Sequence, residues 1–155
     1  MTAKQLRSTE QGRFLVASKR DYPPRLYEVP LQATKDATVA SFIGELGALP
    51  QPTKLTLEED PDYGYYRFMP TGMDYEASTK ALLITTYQPA FIFDLNDLSK
   101  SPIAVPMPSW GQREAITWSG PSKAIVSRER YEQRGIAELF EIDFSGTVVA
   151  PLSLI

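Results

Sequence analysis

The chain has 155 residues, of which 43% are hydrophobic and 23% charged, and its formal net charge is −3. This composition is typical of a folded globular protein, long enough to bury roughly 70% of its unfolded surface in a single domain. The chain contains no histidine and no cysteine, which excludes disulfides, thiolate nucleophiles, Ser-His-Asp triads and the commonest transition-metal ligands.

The first part of the chain, from about residue 3 to residue 49, predicts one four-stranded unit. Short alternating runs rich in β-branched and aromatic residues indicate strands at Arg13–Lys19, Arg25–Leu31 and Thr38–Leu46. A weaker strand at Ala3–Arg7 precedes them, where the apolar alternation is nearly gone. Glycines interrupt the one helix-like stretch, residues 37–49, so we interpret it as a strand followed by a loop.

Residues 50 to 70 follow as an insertion centred on an acidic and aromatic stretch. Its segment 60–64 reads Asp-Pro-Asp-Tyr-Gly, but the proline and the missing third carboxylate do not fit the geometry of an EF-hand calcium loop. We therefore interpret residues 60–64 as a solvated loop. Tyr63, Tyr65 and Tyr66 are candidates for a ligand-binding rim, because exposed tyrosines suit recognition. Alternatively, they pack the insertion against a neighbouring sheet.

The remainder of the chain predicts two further units, at about 71–108 and about 113–155, with four strands each. The strands expected in the second unit are Thr71–Glu76, Lys80–Tyr87, Ala90–Leu95 and Pro102–Pro106. Those expected in the third unit are Glu114–Ser119, Lys123–Glu129, Ala137–Phe144 and Thr147–Leu154. The two units align without a gap over their first hairpins, where Met73 and Tyr75 match Ile116 and Trp118.

A five-residue pattern relates the three units to one another. Its last four positions read aliphatic, aromatic, acidic and aliphatic, and it occurs at 25–29, 91–95 and 138–142. Its acidic residue recurs in every unit, so we assign it a structural role: Glu28, Asp94 and Glu141. Four-stranded antiparallel units that repeat every roughly 40 to 50 residues are typical of β-propeller blades. The sequence therefore predicts an all-β fold, a partial β-propeller of about three four-stranded antiparallel blades in a single domain.

Three blades form an open arc, because a closed propeller takes about four to eight of them. Each terminal blade is then expected to expose an apolar face. Burying about 600 Å² of such a face at about 25 cal/mol per Å² is worth roughly 15 kcal/mol before the costs of association. The simplest closed solution is a homodimer in which three and three blades complete a ring. The alternative is that the chain represents the C-terminal half of a longer propeller.

Three motifs resemble those of a known group of proteins. Residues 71–80, Thr-Gly-Met-Asp-Tyr-Glu-Ala-Ser-Thr-Lys, followed by Thr86 and Tyr87, are similar to the TGADxSPDGK…RTY motif of uncharacterised bacterial β-propeller proteins. Residues 113–118 and the hairpin from Ser18 to Tyr27 also resemble segments of that group. The group resembles the SMP-30/gluconolactonase-like and esterase-like phytase propellers. The resemblance covers most of residues 11 to 145, although Pro-Asp-Gly is replaced in both hairpin turns.

The resemblance implies a place for a cation. In such propellers the innermost strand of each blade lines a central channel, and an acid at its start helps to hold a divalent cation. Glu114 occupies that place in the third blade, and Asp74 lies three residues after the matching Thr71 in the second. Hard cations take about six to eight oxygen ligands. We therefore interpret both acids as hydrogen-bonding neighbouring blades, with a Ca²⁺ or Mg²⁺ site as the alternative.

Function is less determined than fold. Arg113, which stands where the group has glycine, joins the three tyrosines as a candidate rim residue. No catalytic constellation rises above background, so the leading hypothesis is a non-catalytic binding or assembly module of unknown ligand. The alternative is a metal-dependent ester, lactone or phosphate hydrolase with its site in the channel.

The sequence also bounds the partners and the compartment. Basic residues are scattered, so nucleic acid is not an expected partner. The polar N-terminal stretch is not followed by an apolar run, which predicts no signal peptide, and no run approaches the length of a membrane helix. We expect a cytoplasmic protein by default, or an extracytoplasmic one if the chain is a fragment of a secreted parent.

Overall fold

The structure is a computed structural model that describes residues 12–31, 39–108, 112–128 and 138–146, together with the backbone of residues 3–8. Within these ranges, eleven strands form three antiparallel sheets of four, four and three strands. Each sheet is built from strands that are consecutive in the chain. The all-β prediction is therefore confirmed.

The first sheet is a meander in the order β1, β2, β3, β4. Its strands are β1 (Ala3–Ser8), β2 (Arg13–Ser18), β3 (Arg25–Pro30) and β4 (Ser41–Glu45). Each overlaps a strand expected from the sequence, including the weak first one. The pairing of β3 with β4 shifts register between Leu26 and Tyr27, which places a bulge beside Ile43.

The insertion contains two short helical elements that the sequence did not predict. Residues Lys54–Glu59 form a helix, α1, and Gly64–Tyr66 form a 3₁₀ turn. The hydroxyl of Thr53 accepts a hydrogen bond from the backbone N–H of Thr56 at 3.1 Å and caps the helix. The helix has six residues, and none of them is buried. The sequence therefore lacks the apolar stripe that would have predicted it.

The second and third sheets follow the insertion. The second contains β5 (Gly72–Glu76), β6 (Ala81–Thr85), β7 (Ala90–Asp94) and β8 (Ile103–Val105). The third contains β9 (Arg113–Gly120), β10 (Lys123–Arg128) and β11 (Glu138–Asp143). These strands overlap the expected ones. The fourth strand expected in the third unit, Thr147–Leu154, lies outside the described residues.

The second sheet is apolar on both faces and is covered on both. Its paired residues Leu82 and Phe93 pack against the first sheet, in a core that includes Leu15 and Leu26. The intervening residues of β6 and β7, such as Leu83, pack against the third sheet. Neighbouring residues of a strand point to opposite faces. The continuous apolar run of β6 therefore contributes side chains to two separate cores.

The first strands of successive sheets lie side by side, with β5 between β1 and β9. Gly72 in β5 approaches β9 so closely that a Cβ atom on it would lie 2.9 Å from the Cα of Ala115. Backbone cannot yield as a flexible side chain can, so this position requires glycine for the close approach. The first strands of the three sheets are therefore neighbours, in the order β1, β5, β9.

The end sheets differ from each other on the faces turned away from the second sheet. On the first sheet this face carries an apolar patch whose residues pair across β2, β3 and β4: Phe14, Val16, Tyr27, Val29 and Phe42. We call this patch the outer face of the first sheet. On the third sheet, the corresponding face carries Lys123, which pairs with Glu141 at 3.0 Å and Asp143 at 3.9 Å. The described part of the third sheet thus combines these ion pairs with the apolar side chains of Ile125 and Leu139 on the same face.

We expect Leu83→Ala to destabilise the protein by about 2–5 kcal/mol, since Leu83 is fully buried between the second and third sheets. Leu55→Ala is the matched control, because Leu55 lies on α1 and is 62% exposed; its effect should stay within about 0.5 kcal/mol. Urea denaturation followed by circular dichroism measures both. An equal loss of unfolding free energy in the two variants would contradict the placement of the second sheet between the other two.

Candidate functional site

Asp74 joins the second sheet to the third. It lies in β5 on the face turned toward the third sheet and is 3% exposed. One carboxylate oxygen, Oδ2, accepts hydrogen bonds from the backbone N–H of Trp118 at 2.9 Å and from the Thr117 hydroxyl at 2.6 Å. The other, Oδ1, accepts from the backbone N–H of Tyr75 at 2.7 Å. This is the hydrogen bonding to a neighbouring sheet that the sequence suggested for Asp74.

The other candidate metal ligand, Glu114, lies in β9 and is half-buried. Among the residues that the structure describes, no three acidic side chains are grouped so as to hold a metal ion. Both carboxylate oxygens of Asp74 already accept hydrogen bonds. A Ca²⁺ or Mg²⁺ site at these two acids therefore rests on the resemblance alone.

Arg113 is not a rim residue, because it is only 4% exposed. Its guanidinium donates to the carbonyl of Tyr87 at 2.9 Å and to the carbonyl of Pro108 at 2.9 Å. Burial lowers the pKa of Arg113 below its usual value. The side chain thus holds the loop after β6 to the segment that precedes β9. The sequence did not indicate this burial, because Arg113 stands at the start of a predicted strand.

The three candidate rim tyrosines are exposed, as expected of a rim. Tyr63 is the most exposed at 68%, while Tyr65 and Tyr66 are 40% and 36% exposed. Tyr65 also packs on Tyr22, with 5.5 Å between ring centroids, and on Tyr66, with 5.6 Å. Burial, and secondarily Tyr65, raise the pKa of Tyr22. Tyr65 therefore ties the insertion to the loop after β2, while Tyr63 remains available to solvent.

The segment that superficially resembled a calcium loop is held by its own contacts. The Asp60 carboxylate accepts a hydrogen bond from the backbone N–H of Tyr63 at 3.1 Å and pairs with Arg67 at 3.5 Å. Asp62 is exposed. These contacts are those of a turn at the end of α1.

The acids that recur in the three units each pair with a cation. Glu28 pairs with Arg13 at 2.6 Å, Asp94 with Lys100 at 3.2 Å and Glu141 with Lys123 at 3.0 Å. The backbone N–H of Asn96, together with Lys100, lowers the pKa of Asp94. Pairs of this kind at the surface contribute little to stability. Their recurrence in the third strand of each sheet is a shared feature of the fold.

Two surfaces stand out as places for a partner. One is the outer face of the first sheet, where Phe42 is 58% exposed and its ring lies 5.7 Å from that of Tyr27. The adjoining Val39 is 85% exposed. Large apolar groups gathered on one face mark an interaction surface more often than single exposed ones do.

The other surface is a cleft of about 450 Å³ between the turn after β5 and the turn after β9, which we call the turn cleft. Glu76, Ser78 and Thr79 line one side, and Trp118 and Ser119 line the other. Sequence reasoning missed this site. The available signal was that both turns depart from the Pro-Asp-Gly of the resembling propellers.

No protein-family model matches the chain, and no curated protein is significantly similar to it in sequence. Among the described residues, no helix is long and apolar enough to cross a membrane. The geometry of the molecule itself therefore carries the functional argument.

We expect Asp74→Asn to destabilise the protein by about 1.5–3 kcal/mol, because it replaces hydrogen bonds to a buried charged carboxylate with weaker ones. Asp62→Asn, at an exposed position, is the control and should change the free energy of unfolding by less than about 0.5 kcal/mol. Thermal and urea denaturation measure the difference. If Asp74→Asn were as stable as Asp62→Asn, Asp74 would not link the two sheets in solution.

Proposed function

We propose that the chain is a non-catalytic β-propeller module for binding or assembly, whose three sheets are blades of a ring that a second copy completes. The apolar outer face of the first sheet, on which Phe42 is 58% exposed, carries this proposal. A blade inside a propeller is covered on both faces by its neighbours, and a blade at the end of an arc lacks one of them.

The packing of the second sheet supports the interpretation of the sheets as blades. Its two faces form separate cores with the sheets before and after it. Its first strand lies beside the first strands of both neighbours. A β-sandwich pairs two sheets through one inner face each, whereas a stack of sheets with two apolar faces and adjacent first strands is the arrangement of propeller blades.

The contrast in burial supports the need for a partner. Leu82 and Leu83 of the second sheet are fully buried, while Phe42 on the outer face of the first sheet is 58% exposed. Each large apolar side chain that moves from water into an interface contributes about 1.5–3 kcal/mol. Phe42 would gain most from such a transfer, and the half-buried Phe14, Val16, Tyr27 and Val29 extend the apolar area around it.

A second copy is the partner that closed symmetry favours. In a ring of three and three blades, a twofold axis places the first sheet of each copy against the third sheet of the other. The outward residues of the third sheet include Leu139, which is 74% exposed, and the half-buried Ile125. These apolar side chains lie beside the ion pairs of Lys123, so that the interface would combine apolar contacts with charged groups that fix its register.

The tyrosine patch of the insertion supports a binding role within the same assembly. Tyr63 presents its ring to solvent at the end of a short helix that the Asp60 turn holds in place. Tyrosine suits recognition, because it combines apolar area with a hydroxyl and loses little conformational entropy. The hydrolase alternative gains no comparable support, since Asp74 is already engaged by three hydrogen-bond donors.

We expect multi-angle light scattering to give twice the 17.3 kDa mass of one chain for the wild type and one chain mass for Phe42→Glu. The substitution places a charge on the outer face of the first sheet, where desolvation opposes association. Leu55→Glu is the control, because Leu55 is 62% exposed on α1, outside the proposed interface. It should leave the dimer intact.

A companion variant tests which faces meet. Leu139→Glu should also dissociate the dimer if the first sheet of one copy meets the third sheet of the other. A dimer that survives Leu139→Glu and is lost in Phe42→Glu would instead indicate that two first sheets meet. A wild-type protein that is monomeric across micromolar concentrations would contradict assembly by a second copy.

A further inference from the structure

The insertion gathers apolar side chains that stay exposed. Half of the large apolar side chains that are exposed among the described residues lie in this short stretch: Leu55, Leu57, Tyr63, Tyr65 and Tyr66. The helix α1 buries none of its residues, so it adds nothing to either core. Exposed apolar side chains that are concentrated in one place mark an interaction surface. We call these five side chains the insertion surface.

Backbone and ring contacts hold the insertion surface in one arrangement. A Cβ atom on Gly64 would lie 2.6 Å from the carbonyl oxygen of Thr56, so the 3₁₀ turn lies directly against the backbone of α1. Tyr22, which packs on Tyr65, donates a hydrogen bond through its hydroxyl to the carbonyl of Pro50 at 3.2 Å. A surface that is already ordered loses little conformational entropy when a partner binds.

The charges of the insertion favour a cationic partner. Residues 54–67 contain four carboxylates and two cations. Each of the two cations pairs with a carboxylate of the same stretch. Two exposed carboxylates pair with no cation among the described residues: Glu59 and Asp62. Asp62 precedes Tyr63, the most exposed ring of the insertion surface, so negative charge and aromatic area occur together.

The rings of the insertion surface also lack a cation. Elsewhere in the described chain, Lys19 lies 5.5 Å from the ring centroid of Tyr87, and Lys80 lies 5.9 Å from that of Tyr75. Among the described residues, no lysine or arginine lies over the three tyrosines of the insertion. A guanidinium group stacks on an aromatic face and also pairs with a carboxylate through two hydrogen bonds. We propose that the insertion surface binds an arginine-containing segment of a partner protein.

The same features disfavour other occupants. A second copy bound through this surface would bring Glu59 and Asp62 toward their own counterparts, and like charges oppose such an interface. A nucleic acid or an anionic membrane surface is repelled for the same reason. The inference rests on the binding role proposed above, but it does not require the ring, because the insertion surface lies outside the proposed dimer interface.

Fluorescence anisotropy with labelled peptides tests the proposal. The probe is fluorescein-labelled Gly-Arg-Leu-Gly-Arg-Leu-Gly, whose leucines can contact the apolar side chains of α1. The control peptide has glutamine at both arginine positions. We expect the arginine peptide to bind the wild type saturably with a Kd on the order of 100 μM, and the control peptide to bind about tenfold more weakly. The monomeric variant Phe42→Glu should bind like the wild type, which separates this test from that of the ring.

Substitutions locate the binding on the insertion. Tyr63→Ser should weaken binding of the arginine peptide about fivefold, because it removes the most exposed ring. Glu59→Gln combined with Asp62→Asn should weaken it about fivefold as well. The matched control combines Glu76→Gln with Asp97→Asn, which removes two carboxylates from the second sheet and the loop after β7, and it should bind like the wild type. Thermal denaturation verifies that each variant is folded.

Four results would overturn the proposal. No saturable change in anisotropy at millimolar protein would contradict binding itself, and equal affinity for the two peptides would contradict recognition of a cation. A Kd that stays unchanged in both Tyr63→Ser and the combined Glu59 and Asp62 variant would place the peptide elsewhere. Tighter binding of hexaproline than of the arginine peptide would assign the tyrosines to a proline-rich partner.

Discussion

The structure depends on one constraint, which is that the second sheet has two apolar faces. Leu82 and Leu83 are neighbours in β6, yet both are fully buried, and they belong to different cores. A sheet of this kind cannot face water on either side, so a neighbour on each face is a condition for folding. The first and third sheets meet that condition. Their own outer faces are the ones that no further sheet of the described chain covers.

Polar contacts and a glycine then fix how the sheets meet. Asp74 spans the seam between the second and third sheets with charge-assisted hydrogen bonds, while Gly72 lets β5 approach the backbone of β9. Apolar packing is non-directional, whereas these two features specify position along the strands. The boundary between the second and third sheets ends at the turn cleft. The contacts that align these two sheets therefore also shape that candidate site.

Strand positions could be predicted from the sequence, because alternation at period two and short apolar runs report burial directly. The helix at Lys54–Glu59 could not, since it buries none of its residues and is defined by the cap at Thr53. The burial of Arg113 was missed for a different reason: charged residues are exposed by default, and its partners are backbone carbonyls that leave no trace in the sequence. The turn cleft joins two hairpin turns distant in sequence, which only the packing of the sheets brings together.

The two end faces of the molecule differ, and the proposed ring would bring one against the other. The first sheet ends in aromatic and aliphatic side chains, and the third in the ion pairs of Lys123 beside Leu139. Small-angle X-ray scattering from the intact chain tests this most directly, because it reports mass and shape together. The account predicts a concentration-independent mass of two 17.3 kDa chains with the scattering profile of a disc-shaped ring. A single-chain mass at every concentration would contradict it.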